Sequence, residues 1–161
     1  MSEPFDPPGE PWVRVSPRLA TLRRLLLVVI GATASAAAGV LLGFVALWLG
    51  LVVGIAGLAG VAWGWRIVGR AVRSWGYAER VNDLLVTRGI LNRQLVVVPY
   101  GRMQYVDVTA GPLDRRFGLS TVQLHTAAAA TDAQIPGLVP AEAARLRDRL
   151  AARGEAGSAG L

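Results

Sequence analysis

The one histidine of this 161-residue chain, His125, is the first place to look for acid–base chemistry. Ser120 and Asp107 are the residues from which a Ser-His-Asp arrangement would have to be assembled around it. No G-x-S-x-G elbow surrounds Ser120. His125 also falls in step with Thr121 and Gln123 along an alternating run, which assigns it to the outward face of a strand. A lone histidine without cysteine supplies no metal set, because zinc takes several protein ligands. Asp107 and Asp114 read as separate exposed charges rather than an acid/base pair. Neither GxxxxGK(S/T) nor GxGxxG is present, so no phosphate cradle is encoded. These residues argue against an enzyme, and no catalytic residue, metal or cofactor is expected.

The basic residues offer a different chemistry. The net charge is +6, and all 17 basic residues are arginine. Arg115 and Arg116 form a local cluster beside Asp114. With Arg93 and Arg102 they make a candidate patch for anionic headgroups, worth ~1 kcal/mol per basic residue near a membrane surface. The alternative is a plain solvated surface in an arginine-rich composition. Nucleic acid is not an expected partner, since no recognition motif is present and aromatics are not interleaved with the arginines. The absence of cysteine excludes disulfides and thiolate chemistry.

The elements that carry these residues begin with an apolar segment. From Leu25 to Trp65 there are 41 consecutive residues without a charge. One helix of that length would run ~60 Å at ~1.5 Å per residue, twice a bilayer core of ~30 Å. Two helices, over 19–42 and 47–68 with a turn near 43–46, fit that core. Arg18, Arg23 and Arg24 precede the run, and Arg66, Arg70 and Arg73 follow it. The positive-inside tendency places both flanks in the cytoplasm, which requires an even number of crossings. Trp63 and Trp65 mark the inner boundary, and Trp48 the outer one. A cleaved signal peptide is the rival reading, but its apolar core spans only ~7–15 residues. GxxxG spacings at Gly39/Gly43 and Gly50/Gly54 allow close helix approach, either within the hairpin or between copies of the chain. The span holds no charged residue, which argues against a pump or transporter.

Outside the span, residues 1–18 carry five prolines and read as an extended or disordered cytoplasmic arm. From 74 to 153 the pattern becomes short and alternating. Strands are expected at 75–81, 84–88, 93–98, 103–109 and 119–126, separated by turns at Asn82 and Asp83, 89–92, 99–101, and Gly111 and Pro112. The 93–98 strand is β-branched and reads as buried. Residues 113–117 suggest one helical turn, and 127–137 a loop with a short strand. Val139, Ala143, Leu146 and Leu150 line one face of a final helix that Pro140 can start. Residues 154–161 read as a flexible tail. The fold class is therefore an α+β membrane protein: a two-helix hairpin, then a bent antiparallel sheet or partial barrel with a C-terminal helix.

Several of these residues form a recognisable set: Arg88, Gly89, Val98, Pro99, Tyr100, Arg102, Gln104, Val106 and Val108, then Gly111, Pro112, Leu113, Arg116, Phe117, Gly118, Leu119, Val122, Leu124, Thr126 and Ala127. This set resembles the bacterial pleckstrin-homology-like membrane proteins, the YdbS-like family. The resemblance covers about 19–150 and implies a transmembrane hairpin followed by a strongly bent sheet closed by a C-terminal helix. Against a seven-stranded barrel of that kind, the strand count above is one or two short. The resemblance brings no reaction and no ligand. Pro99, Tyr100, Gln104, Pro112 and Gly118 read as structural motif residues, and Arg102 and Gln104 as residues that hydrogen-bond neighbouring backbone at a corner. The expected role is a non-catalytic interaction or scaffolding module of the cell envelope in the inner membrane. The lipid bilayer, a membrane or cytosolic protein, and a second copy of the chain through the Gly-rich faces are its expected partners. Anionic-lipid binding through the arginine patch is the alternative role; a small enzyme or transport component is the third.

Overall fold

The computed structural model describes residues 11–127 and 132–159, with side chains described as far as Glu155. Two helices, α1 (Arg18–Gly43) and α2 (Leu47–Arg73), are of 26 and 27 residues. At ~1.5 Å per residue each runs ~40 Å, long enough to cross a bilayer core. Their apolar side chains face outward: Ile30, Leu41, Trp48 and Ile55 are 66, 70, 67 and 67% exposed. A surface of that kind needs an apolar solvent. The turn between the helices is tight, with Val45 and Ala46 both donating their N–H to the Leu42 carbonyl.

The glycines explain how closely the two helices pack. A Cβ on Gly50 would lie 2.5 Å from the Gly39 carbonyl oxygen and 2.7 Å from Gly43 Cα, closer than real side chains come. The Gly-rich faces therefore meet each other inside the hairpin at these positions. The hydroxyls of Thr33 and Ser35 bond back to the carbonyls of Val29 and Gly31 at 2.6 and 2.7 Å, so neither is left unsatisfied in an apolar setting. At the other end of the hairpin, the Arg24 guanidinium lies 4.9 Å from the Trp65 ring centroid and donates to the Trp65 carbonyl.

Contacts divide the chain into two units: Ala20–Arg70, and a second unit joining the segment up to Leu19 with everything from Ala71 onward. Among the described residues, the second unit contains seven strands: β1 (Val13–Arg14), β2 (Gly76–Glu79), β3 (Asp83–Arg88), β4 (Gln94–Pro99), β5 (Met103–Thr109), β6 (Ser120–Thr126) and β7 (Ala133–Leu138). They form two antiparallel sheets that do not close on each other, in the orders β1-β2-β3-β4 and β5-β6-β7. A 3-10 turn, Tyr100–Arg102, joins the sheets, and a short helix α3 (Pro112–Arg116) joins β5 to β6. The last helix, α4 (Pro140–Ala159), packs on the 3-10 turn, β5 and β6.

The short strand expected within 127–137 is present as β7, and one strand, β1, was not among those expected. β7 occupies the second half of the 127–137 stretch, with Ile135 and Leu138 buried. β1 comes from the proline-rich arm: Val13 and Arg14 pair with Tyr77 and Gly76 across the whole helical hairpin. Ser16 N–H then donates to the Gly137 carbonyl, and Val15 and Leu19 are buried, so the end of the arm is part of the β-unit. Residues 1–10 of the arm lie outside the described residues. At the other terminus, the segment read as a tail continues as helix to Ala159.

Burial follows the alternation where the sheet has one dry face. In β6, Val122 and Leu124 are at most 1% exposed, while Thr121, Gln123 and His125 are half-buried on the other face. On α4, Ala143, Leu146 and Leu150 are fully buried. β4 departs from the expectation of a buried strand. It is the last strand of its sheet, only Val98 is buried within it, and Val97 is 43% exposed.

Candidate functional site

The arginines singled out in the sequence are spread over the β-unit. Arg93 immediately precedes β4, whereas Arg102 follows it beyond Pro99. Six residues of strand separate them, ~20 Å at ~3.3 Å per residue. Arg102 also precedes β5, and Arg115 and Arg116 lie in α3 after its far end, a further seven strand residues away. All four are exposed, but strand lengths keep Arg102 away from the other three. Arg18 lies over Gly118, next to the α3 arginines, and enlarges that cluster.

The motif residues sit at turns. Pro112 opens α3, and Asp114 Oδ2 accepts the Gly111 N–H at 3.2 Å. Gly118 follows α3 with φ +63°, the left-handed conformation that lets the chain leave a helix and enter β6. Gln104 is the extra residue of a β-bulge, since Met103 and Tyr105 pair with the adjacent residues Thr126 and His125. The side chains of Arg102 and Gln104 are exposed and make no hydrogen bond among the described residues.

Tyr100 holds the corner instead. Its ring is buried, and its N–H donates to the Asn82 carbonyl at 3.1 Å. Its hydroxyl donates to the Arg80 carbonyl at 3.1 Å and accepts from Arg153 Nη1 at 2.8 Å. The Arg153 guanidinium carbon lies 5.2 Å from the ring centroid and a nitrogen also donates to the Arg80 carbonyl. Burial raises the Tyr100 pKa above the ordinary tyrosine value, and the Arg153 hydrogen bond and charge partly offset that.

A larger charged cluster continues from this corner along α4. Arg149 grips Glu79 with two hydrogen bonds, Nε to Oε2 at 3.2 Å and Nη2 to Oε1 at 2.7 Å. Arg153 stands 3.5 Å from the same carboxylate. Tyr77, fully buried, donates its hydroxyl to Glu142 Oε1 at 3.1 Å. Burial first, then the Glu142 charge and hydrogen bond, push its pKa well above the usual value. The hydrogen bond to Glu79 likewise raises that of Arg149. The partners here are 65–70 residues apart, so no local pattern announces them. Their arrangement is that of a clamp fastening α4 to β2.

His125 has a partner the sequence did not suggest. Its Nδ1 lies 3.2 Å from Asp132 Oδ2, and its ring stacks on Tyr105 with centroids 4.4 Å apart. Asp132 Oδ1 accepts the Thr126 N–H at 2.8 Å, so the carboxylate is occupied on both sides. Asp107 pairs in register with Gln123, and Ser120 sits on the opposite face of β6 from His125. No Ser-His-Asp arrangement is assembled from these three residues.

Residues 25–154 match the family model described as bacterial PH domain. The chain belongs to the bacterial PH domain family. Over 76 residues it is 40% identical to the UPF0699 transmembrane protein YdbS of Bacillus subtilis (strain 168), an alignment covering 47% of this chain and 46% of that protein. The chain thus spans about half the length of that curated relative. No solved structure matches. Family and relative agree with the two long apolar helices in making this a membrane protein with a bacterial PH domain. Each of the two sheets ends in a terminal strand at its rim. β4 and β5 are their edges at the 3-10 turn, and β4 presents Leu95, Val96 and Val97, none of them fully buried.

Proposed function

We propose that this bacterial PH domain protein is a non-catalytic interaction module of the cell envelope. It is held in the inner membrane with both termini in the cytoplasm. It recruits a membrane or cytosolic protein by pairing an extended segment of that protein with β4. The observation that carries this reading is the edge itself. Six residues, Gln94–Pro99, run without a charge at the border of a sheet. Proteins ordinarily blunt such borders with charges or short strands, because unpaired N–H and C=O groups recruit another strand. The arginines flanking the apolar span support the cytoplasmic placement. A non-catalytic role is supported by the occupied Asp132 carboxylate beside His125 and by its distance along β6 from Ser120.

The four candidate arginines support a shared lipid patch less well, because whole strands separate Arg102 from the rest. The test is a photo-crosslinking residue at Val97 in intact cells, with Val81 in the β2–β3 turn as the control. A discrete protein adduct at Val97 alone, lost on Val96→Lys, is the expected result. Identical labelling at both positions would sink the proposal.

A further inference from the structure

The β3–β4 hairpin ends in residues that the sheet edge does not use. Gly89, at φ +102°, begins a turn in which a side chain at this position would collide with the Asn92 carbonyl, and the turn leaves Ile90 and Leu91 at the apex. Leu91 is 102% exposed and Ile90 39%. A fully exposed leucine at a hairpin apex gains nothing from the fold. Arg88 and Arg93 flank the apex, and Arg88 is braced by an Nε bond to Gln94 Oε1 at 3.0 Å. From Leu84 to Val106 there is no acidic residue.

The apex also lies at a particular end of its sheet. Gly76 opens β2 shortly after α2 ends at Arg73, and Gly76 pairs with Thr87, next to Arg88. The Arg14 side chain at the same end donates to the Arg73 carbonyl at 3.0 Å. The hairpin therefore projects from the same end of the sheet as Arg73 and Gly76, where the chain enters this unit. The opposite end carries the β2–β3 turn, where Val81 is also exposed but lies between Glu79 and Asp83.

We infer that the Gly89 to Asn92 apex is a membrane-seating wedge: Ile90 and Leu91 enter the interface of an anionic bilayer while Arg88 and Arg93 bind its headgroups. Apolar tips with basic flanks partition into such interfaces through both terms together. The occupant is the lipid surface, because the chain carries two helices long and apolar enough to anchor it there and both charged residues that flank the apex in sequence are arginines.

This 161-residue sequence has no cysteine, so Leu91→Cys and Val81→Cys each give a single labelling site in it. Each carries an environment-sensitive fluorophore in nanodiscs of phosphatidylcholine, alone or with about one third phosphatidylglycerol. Doxyl-labelled lipids are the quencher. The Leu91 label should shift to the blue and be quenched in the anionic discs, with the Val81 label unaffected. Replacing Arg88 and Arg93 with Gln should lower the seating equilibrium constant about 30-fold, from ~1 kcal/mol per arginine at an anionic surface, and so reduce the quenching. Quenching at Leu91 no greater than at Val81, or unchanged without the two arginines, would overturn the inference. So would a disulfide joining two copies of the unlabelled Leu91→Cys variant, with no lipid quenching of the labelled one, since the apex would then seat on a second copy.

Discussion

Replacing Glu79 with Gln removes the charge that two α4 arginines share. The structure sets the size of the effect. Glu79 accepts both hydrogen bonds of a bidentate Arg149 contact, and its side chain is only 18% exposed, whereas Arg149 is 41% exposed. Fully exposed ion pairs contribute ~0.2–1 kcal/mol, and hydrogen bonds to charged groups ~1.5–3 kcal/mol. A half-screened bidentate pair falls between these, at about 1–2 kcal/mol of coupling. The assay is a double-mutant cycle of Glu79→Gln and Arg149→Gln on the detergent-solubilised chain, followed by thermal unfolding. For a β-unit of this size, each kcal/mol shifts the midpoint by roughly 4–8 °C. The coupling should shrink in ~1 M salt, where the Debye length is ~3 Å. A coupling below about 0.3 kcal/mol at low salt would refute the view that this clamp fastens α4 to β2.

Other outcomes follow from single sites. Leu146→Ala empties a fully buried position on α4 and should cost ~2–5 kcal/mol in the same unfolding assay. Gly118→Ala forces a side chain onto a φ of +63° and should cost about 1 kcal/mol or more. Tyr77 has its pKa raised in the folded state, so above pH ~10 the unfolded chain loses a proton that the folded chain keeps. Stability should be undiminished by this group below that pH and fall as pH rises past it; Tyr77→Phe should flatten the fall. Gly50→Ile would collide with Gly39 and Gly43, and should lower the yield of a disulfide engineered between positions 27 and 64 of the two helices.

The helical hairpin was legible because it depends on one coarse property, a long charge-free run with basic flanks. β6 and α4 were legible for a similar reason: Val122 and Leu124, and Ala143, Leu146 and Leu150, each repeat with the period of their element. β1 was not legible, since two residues have no periodicity and the partners Tyr77 and Gly76 lie beyond the whole hairpin. The place of β4 in its sheet was hidden too. A run of Leu and Val reads as buried whether or not another strand follows, and only the sheet order makes it an edge. At the candidate site, Arg93, Arg102, Arg115 and Arg116 could be named from charge, but their separation depends on which ends of β4 and β5 they occupy. Glu79 with Arg149, and Tyr77 with Glu142, had no signal at all, because neither member of a pair is unusual in its own neighbourhood.

The most direct test concerns the pairing of β1 with β2. It makes the membrane hairpin an insertion into one β-unit, so the chain must leave and re-enter that unit on the same side of the membrane. Reporter fusions at the N-terminus, at Val45 in the turn and at the C-terminus measure this. Cytoplasmic signals are expected from both termini and an external signal from Val45. Termini on opposite sides would contradict it, since Val13 and Arg14 could then never meet Tyr77 and Gly76.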